Sequence, residues 1–217
     1  LSRSDFAVTG PREIRFGMTA VKGVGETAVA SIIAARETGG DFTSVWDFCR
    51  RVDQAQVNKR ALESLIKAGA LDATTGTRAG MLDVLPAAMG QAAKARSDAA
   101  AGQESLFGLL ADVTESPVAT MDPPVPDLEQ AKDEMLAAEK EALGLYVSSH
   151  PLDDCRRQLR RAVTTGLGGL GERPDREYVT VGGMVGELKT ITTRKGEPMA
   201  FMRLEDLEAS VEVVVMP

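Results

Sequence analysis

The chain has 217 residues, is 43% hydrophobic and 26% charged, and carries a net charge of −7 at neutral pH. That length allows one large or two small domains with their own cores, and no apolar run approaches the roughly 20 residues that span a bilayer. Its two cysteines, Cys49 and Cys155, have no second Cys or His at ligand spacing, a pattern of free cytoplasmic thiols that argues against a metal site.

The chain begins at Leu1 without a signal peptide and closes on a strand-like run before Pro217, so it reads as a piece of a longer cytoplasmic polypeptide. Charge is unevenly spread. Residues 12–81 carry ten Lys and Arg against eight Asp and Glu, whereas residues 97–139 carry one against ten. A slightly basic module is therefore joined to an acidic connector, and the net charge conceals both.

Residues 1–13 lack a sustained period and contain Gly10-Pro11; they read as an extended lead-in to Ile14-Arg15-Phe16-Gly17. A short helix is expected from Thr19 to Lys22, then the turn Gly23-Val24-Gly25, then a longer helix to about Glu37, stopped by Gly39-Gly40. This is the pattern of a helix-hairpin-helix, with Val21, Val24, Ala28, Ile32 and Ile33 on its buried face. The N–H groups of Gly23 to Thr27 and the positive helix end converge on one spot, which suits a phosphate oxygen. Lys22 adds a full charge that reads no base. Read alone, Gly-x-Gly is equally a helix cap and turn.

Asp41-Phe42-Thr43 offers a cap for a helix over Ser44 to Arg51, and Asn58 caps Lys59 to Lys67, which Ala68-Gly69-Ala70 ends. The repeat of helix, glycine turn and return predicts a second helix-hairpin-helix. Lys59 and Arg60 are candidate phosphate contacts within it, with Arg50, Arg51 and Lys67 as further cations that a solvated helix face explains equally well. A helix from Thr77 to Ala101 should break or kink at Pro86. Residues 102–126 read as an acidic linker around Gln103-Glu104-Ser105-Leu106-Phe107, where Leu106 and Phe107 form an apolar pair with no core of their own.

Asp127 is placed to cap a helix over Leu128 to Leu143 with a stripe of Leu128, Met135, Leu136 and Leu143, within a helical connector of residues 127–165. His150 reads as a structural hydrogen-bonding residue. Asp153 and Asp154 suit the first turn of the next helix, along which lie Arg156, Arg157, Arg160 and Arg161. From residue 166 the period becomes two: strands are expected from Tyr178 to Thr193, Pro198 to Leu204 and Ser210 to Met216. The fold class is thus mainly α, followed by antiparallel strands that match the opening of an OB-fold, which needs five to close. Arg194 and Lys195, in the first strand turn, are candidate contacts to single-stranded DNA.

Several stretches together resemble bacterial replicative DNA polymerase III alpha subunits: Ile14-Arg15-Phe16-Gly17-Met18 leading to Gly23-Val24-Gly25; Asn58-Lys59-Arg60 with Leu65 to Asp72; Glu139 to Tyr146 with Ser149-His150-Pro151-Leu152; and Lys195 to Phe201 with Leu204-Glu205-Asp206. The resemblance covers nearly the whole chain. It implies a tandem helix-hairpin-helix domain over 14–101, a sliding-clamp motif at Gln103, Ser105, Leu106 and Phe107, and the N-terminal part of an OB-fold over 166–217. It further implies contacts with duplex backbone, single-stranded template, the clamp and other replisome subunits. Nucleotidyl transfer in that family uses Mg2+ on aspartates; none stands here at the required spacing, so this segment carries no catalytic residue and no cofactor of its own. The alternatives are the helix-hairpin-helix region of a repair protein or ligase, and a protein scaffold built on the acidic connector.

Overall fold

The computed structural model describes residues 2–100, 122–128 and 130–217. Two compact units divide at the bond between Tyr146 and Val147, inside the segment expected as a connector. Residues 103–107 lie outside the described residues. Among those described, no helix is long and apolar enough to cross a membrane.

The first unit opens on a difference from the sequence reading. The lead-in is a two-stranded hairpin, β1 (Ala7–Gly10) with β2 (Glu13–Arg15), because Pro11-Arg12 turns the chain and lets its extended halves satisfy each other. Residues 3–5 run back against Gly17, where a Cβ would come within 2.5 Å of the Ser4 carbonyl oxygen; only glycine permits that approach. A single 3-10 turn (Met18–Ala20) takes the place of the expected short helix and leads into α1 (Glu26–Gly39). There follow α2 (Val45–Arg51), α3 (Lys59–Lys67), α4 (Arg78–Ala100) and α5 (Lys132–Leu143). One core joins them, with Val29, Val45, Phe48, Leu62, Ile66, Met81 and Leu85 all buried.

Local signals were partly displaced by tertiary contacts. Ser44, not Asp41, caps α2, its hydroxyl accepting from the Asp47 N–H at 3.0 Å. Asn58 caps α3 as expected, accepting from the Ala61 N–H at 2.9 Å. Helix α4 continues unbroken through Pro86, which lies on its exposed side. Asp127 caps nothing: α5 starts only at Lys132, after Ala131, and Leu128 is exposed. The reason is that residues 122–126 are held elsewhere. Asp122 takes both arms of the Arg50 guanidinium, and Val125 sits where Cβ atoms on Gly76 and Gly80 would intrude. The linker's last residues are therefore fastened to the first unit.

The second unit holds α6 (Arg156–Ala162), a 3-10 segment (Leu167–Glu172) and the antiparallel sheet β3 (Met184–Thr192), β4 (Pro198–Glu205), β5 (Ser210–Val215), paired in that order. Asp153 and Asp154 precede α6 instead of opening it; Asp153 accepts from the His150 N–H at 2.8 Å and the Ser149 hydroxyl at 3.1 Å. His150 is structural as expected, its Nδ1 accepting from the Leu152 N–H at 3.1 Å. The first strand starts six residues later than its alternation suggests. Gly182 and Gly183 explain this, because their missing side chains let the chain press on Leu159 and on the Glu205 carbonyl.

Asp206 organises the β4–β5 connection. Its carboxylate accepts from the N–H groups of Ala209 (2.7 Å), Glu208 (2.8 Å) and Leu167 (2.8 Å). Burial opposes its ionisation, but these three donors outweigh it and hold the carboxyl below its ordinary range. The stabilisation is complete above the ordinary carboxylate range near pH 4 and is lost as pH falls through the lowered folded value. Asp206→Ala should therefore destabilise the strand unit by about 1–2 kcal/mol at pH 7, with the gap to wild type closing below about pH 4. Hydrogen exchange at the Leu167, Glu208 and Ala209 amides measures this; a gap that does not change with pH would contradict it.

Candidate nucleic-acid interface

The expected hairpin is present, and its geometry explains each residue in it. Gly23 has φ +83°, a left-handed backbone that a side chain strains. Val21 and Val24 are buried, pinning the turn to the core, while Lys22, Gly23, Gly25, Glu26 and Thr27 are exposed. Gly25 caps α1 in extended conformation, φ −81° and ψ 161°, without a side-chain hydrogen bond. The first bond of the helix runs from the Val29 N–H to the Gly25 carbonyl at 3.1 Å. The amides of Gly23, Gly25, Glu26 and Thr27 thus have no acceptor among the described residues. Val24 differs from expectation, since its N–H closes the turn on the Val21 carbonyl at 3.1 Å.

A hydrogen bond to α5 braces this turn. The Lys22 N–H donates to the Ala142 carbonyl of α5 at 2.8 Å, which spends one of the unpaired carbonyls in that helix's last turn. A Cβ on Gly23 would lie 3.7 Å from the Ser64 hydroxyl of α3. The Lys22 side chain stays on the surface with the free amides, at the positive end of a four-turn helix. Glu26, in the first turn of α1, opposes that role electrostatically.

The second turn is built differently. Gly69 has φ +76°, and the space a side chain would fill there is taken by the Arg78 guanidinium. Arg78 donates to Asp72 at 2.8 and 2.5 Å, to the Lys67 carbonyl at 3.1 Å and to Glu139 at 3.5 Å. The bond to Asp72 is the main reason its proton is held above the ordinary arginine range. Thr77 caps α4, its hydroxyl accepting from the Gly80 N–H at 3.1 Å. The second hairpin is therefore filled by the protein's own groups, and Lys59 and Arg60 stand exposed at the start of α3, Lys59 with Glu63 at 3.6 Å.

The other sequence-selected cations have structural partners. Arg50 holds Asp122; Arg51 bonds Asp47 and the carbonyls of Ala35, Gly40 and Asp41 and stacks 4.5 Å over the Phe42 ring; Lys67 pairs with Glu141 at 3.2 Å. Arg194 and Lys195 are exposed in the β3–β4 turn of the second unit, where Gly196 at φ +84° makes the reversal. Sequence reasoning missed the buried Glu139 and its Arg78 partner. A charged residue in the apolar stripe of α5, between Leu136 and Ala142, was the available signal.

Residues 1–81 match a family model described as a helix-hairpin-helix motif. The chain is 40% identical over 223 residues to the DNA polymerase III subunit alpha of Saccharopolyspora erythraea, covering 100% of this chain and 18% of that protein. It is 43% identical to the same subunit of Thermus aquaticus, covering 97% and 17%, and 37% identical to that of Neisseria meningitidis serogroup B, covering 99% and 18%. The chain thus spans less than a fifth of the length of these curated relatives.

The two hairpin glycines should separate in their effect on stability. Gly23→Ala should cost about 1 kcal/mol because of its positive φ. Gly25→Ala should cost less, about 0.5 kcal/mol, since its backbone is ordinary and the nearest atom to a new Cβ is 4.0 Å away, which leaves only the poorer capping by alanine. Urea unfolding of both variants tests this; equal losses would mean that Gly25 is also held by conformation.

Proposed function

We propose that the chain is one segment of a bacterial DNA polymerase III alpha subunit, to which it is 37–43% identical over nearly its whole length, and that it holds DNA for the parent polymerase. The observation carrying this reading is the exposed Gly23–Thr27 turn, with four free amides and Lys22 beside the positive end of α1. It suits the phosphates of duplex DNA whatever their sequence, with Lys59 and Arg60 as outlying contacts. The nucleotidyl transfer and its Mg2+ belong to aspartates outside this segment. In the same reading β3 to β5 open an OB-fold whose turn at Arg194 and Lys195 meets single-stranded template. Gln103, Ser105, Leu106 and Phe107 dock in the sliding clamp as a short peptide with an amide anchor and two apolar side chains. The setting is the cytoplasmic replisome, with its other subunits as further partners.

Gly25 supports the assignment, because its glycine is not demanded by backbone torsion or by a neighbour. Glycine there serves as the N-cap of α1 and also leaves the backbone open to close approach of a phosphate. Lys22→Ala should weaken binding equally on duplexes of different sequence and reduce the salt slope by about one unit. Glu26→Gln should do the opposite, raising affinity a few-fold at low salt through loss of a like charge. Fluorescence anisotropy across a salt series decides; an unchanged slope in the first variant, or weaker binding in the second, would remove the phosphate from this turn.

The clamp assignment has its own test. Phe107→Ala should cost about 2 kcal/mol of clamp affinity, roughly thirtyfold, without shifting the melting temperature, and Gln103→Ala should lower it less. Titration of purified clamp with parallel melts measures both; lost stability with intact clamp binding would overturn the motif.

A further inference from the structure

Helix α6 carries Arg156, Arg157, Arg160 and Arg161 within two turns, and all four are exposed. Among the described residues, none of them has a carboxylate within ion-pair distance. Of the two acids that precede the helix, Asp153 feels the Arg156 charge and accepts from the His150 amide and the Ser149 hydroxyl. Several other arginines, among them Arg50, Arg51, Arg78 and Arg96, are spent on carbonyls and carboxylates, and the chain as a whole is acidic. Four exposed guanidiniums on one short helix raise the local potential, and like charges at i,i+4 disfavour the helix itself.

Arg156 and Arg160, one helical turn apart, line one side of a concavity of about 420 Å³ whose walls include Leu159, Val163, Gly182 and Leu207. Gly182 leaves the space beside Leu159 that a side chain would fill. Asp206 and Glu208 stand on the same concavity, but the Asp206 carboxylate is occupied by three backbone donors. The recess therefore has cations about 6 Å apart along a helix beside an apolar wall, with negative charge on its far side at Asp206 and Glu208.

We propose that this recess is a further site for single-stranded DNA, separate from the hairpin and from the Arg194–Lys195 turn. Arg156 and Arg160 take successive phosphates with their planar forks, Arg157 and Arg161 add to the field along the adjacent face, and the Leu159, Val163 and Leu207 wall receives a sugar or base. Glu208 keeps the phosphates on the arginine side. A duplex cannot insert a base into such a recess, so the site favours an unpaired strand. The choice of nucleic acid over an acidic peptide rests on the polymerase reading above.

The test uses the 217-residue chain, a labelled 15-nucleotide oligo-dT and a duplex of equal length, titrated from low to moderate salt. The Arg156→Gln/Arg160→Gln double variant should lose about tenfold in single-strand affinity at low salt and about 1.4 units of salt slope. Arg156→Lys/Arg160→Lys should keep the slope, and the surface control Arg12→Gln/Arg15→Gln should change nothing. If the double variant melts early, Arg160→Gln alone should lose about 0.7 units of slope. An unchanged slope, an equal loss in the surface control, or competition by poly-glutamate as strong as by oligo-dT overturns the site. A duplex defect in Lys22→Ala with no effect of the arginine changes sinks this site alone; the reverse result sinks the hairpin reading alone.

Discussion

The first unit depends on arginines placed at the carbonyl ends of its helices. A helix leaves its last carbonyls without donors, and in a compact bundle these ends are turned towards neighbours instead of water. Arg51 of α2 supplies the end of α1 through the Ala35 and Gly40 carbonyls. Arg96 of α4 supplies the end of α2 through the carbonyls of Cys49, Arg50 and Val52. Arg78, from the start of α4, supplies the end of α3 through Lys67. A guanidinium suits the task because its five donors satisfy several oxygens at once and its charge opposes the negative helix end. Each helix is thereby stitched to another through its terminus, and apolar contact fills the space between. Cys49 lies within this arrangement, and its burial pushes the thiol up to about 11.

That use of arginine also sets the electrostatics. A sequence reading sees Arg50, Arg51 and Lys67 as part of a basic face; the fold consumes all three internally, and what reaches solvent near the hairpin is Lys22, with Lys59 and Arg60 at the head of α3. The two hairpins, alike in sequence, consequently diverge in role. The first keeps its amides open. The second closes on Arg78 and Asp72 and ties α3, α4 and α5 through the buried Glu139, a charge that would be costly without its partner.

Much of this was legible. Hydrophobic period placed α1 to α4 and the three strands, and Asn58 was a true cap because its helix starts where the local signal says. The misses share one cause, which is a contact with sequence-distant residues. Asp127 had the composition of a cap, but the preceding chain is held on α2 by Asp122 and against the start of α4 by Val125, and the helix can start only after that stretch ends. Asp153 was drawn into a loop by His150 and Ser149. The Pro86 position read as a break, yet an exposed proline inside a helix packed on both sides of the site is carried by its neighbours. In the site, the glycines were legible as a turn, whereas the reason for each was not: one answers to torsion and the other to open space. The arginine roles were not legible at all, since an arginine bonded to a carbonyl and one awaiting a phosphate look alike in sequence.

The bond from the Lys22 amide to the Ala142 carbonyl has a consequence for how the protein is made. About 120 residues separate the two partners, so during synthesis the turn emerges long before the helix that braces it. At roughly 5–20 residues per second that interval is about 6–24 s, during which Lys22, Gly23 and the start of α1 lack that support. The hairpin is thus among the first parts of the unit to leave the ribosome and among the last to reach its final form, and a ribosome that stalls between these points displays the turn without the brace.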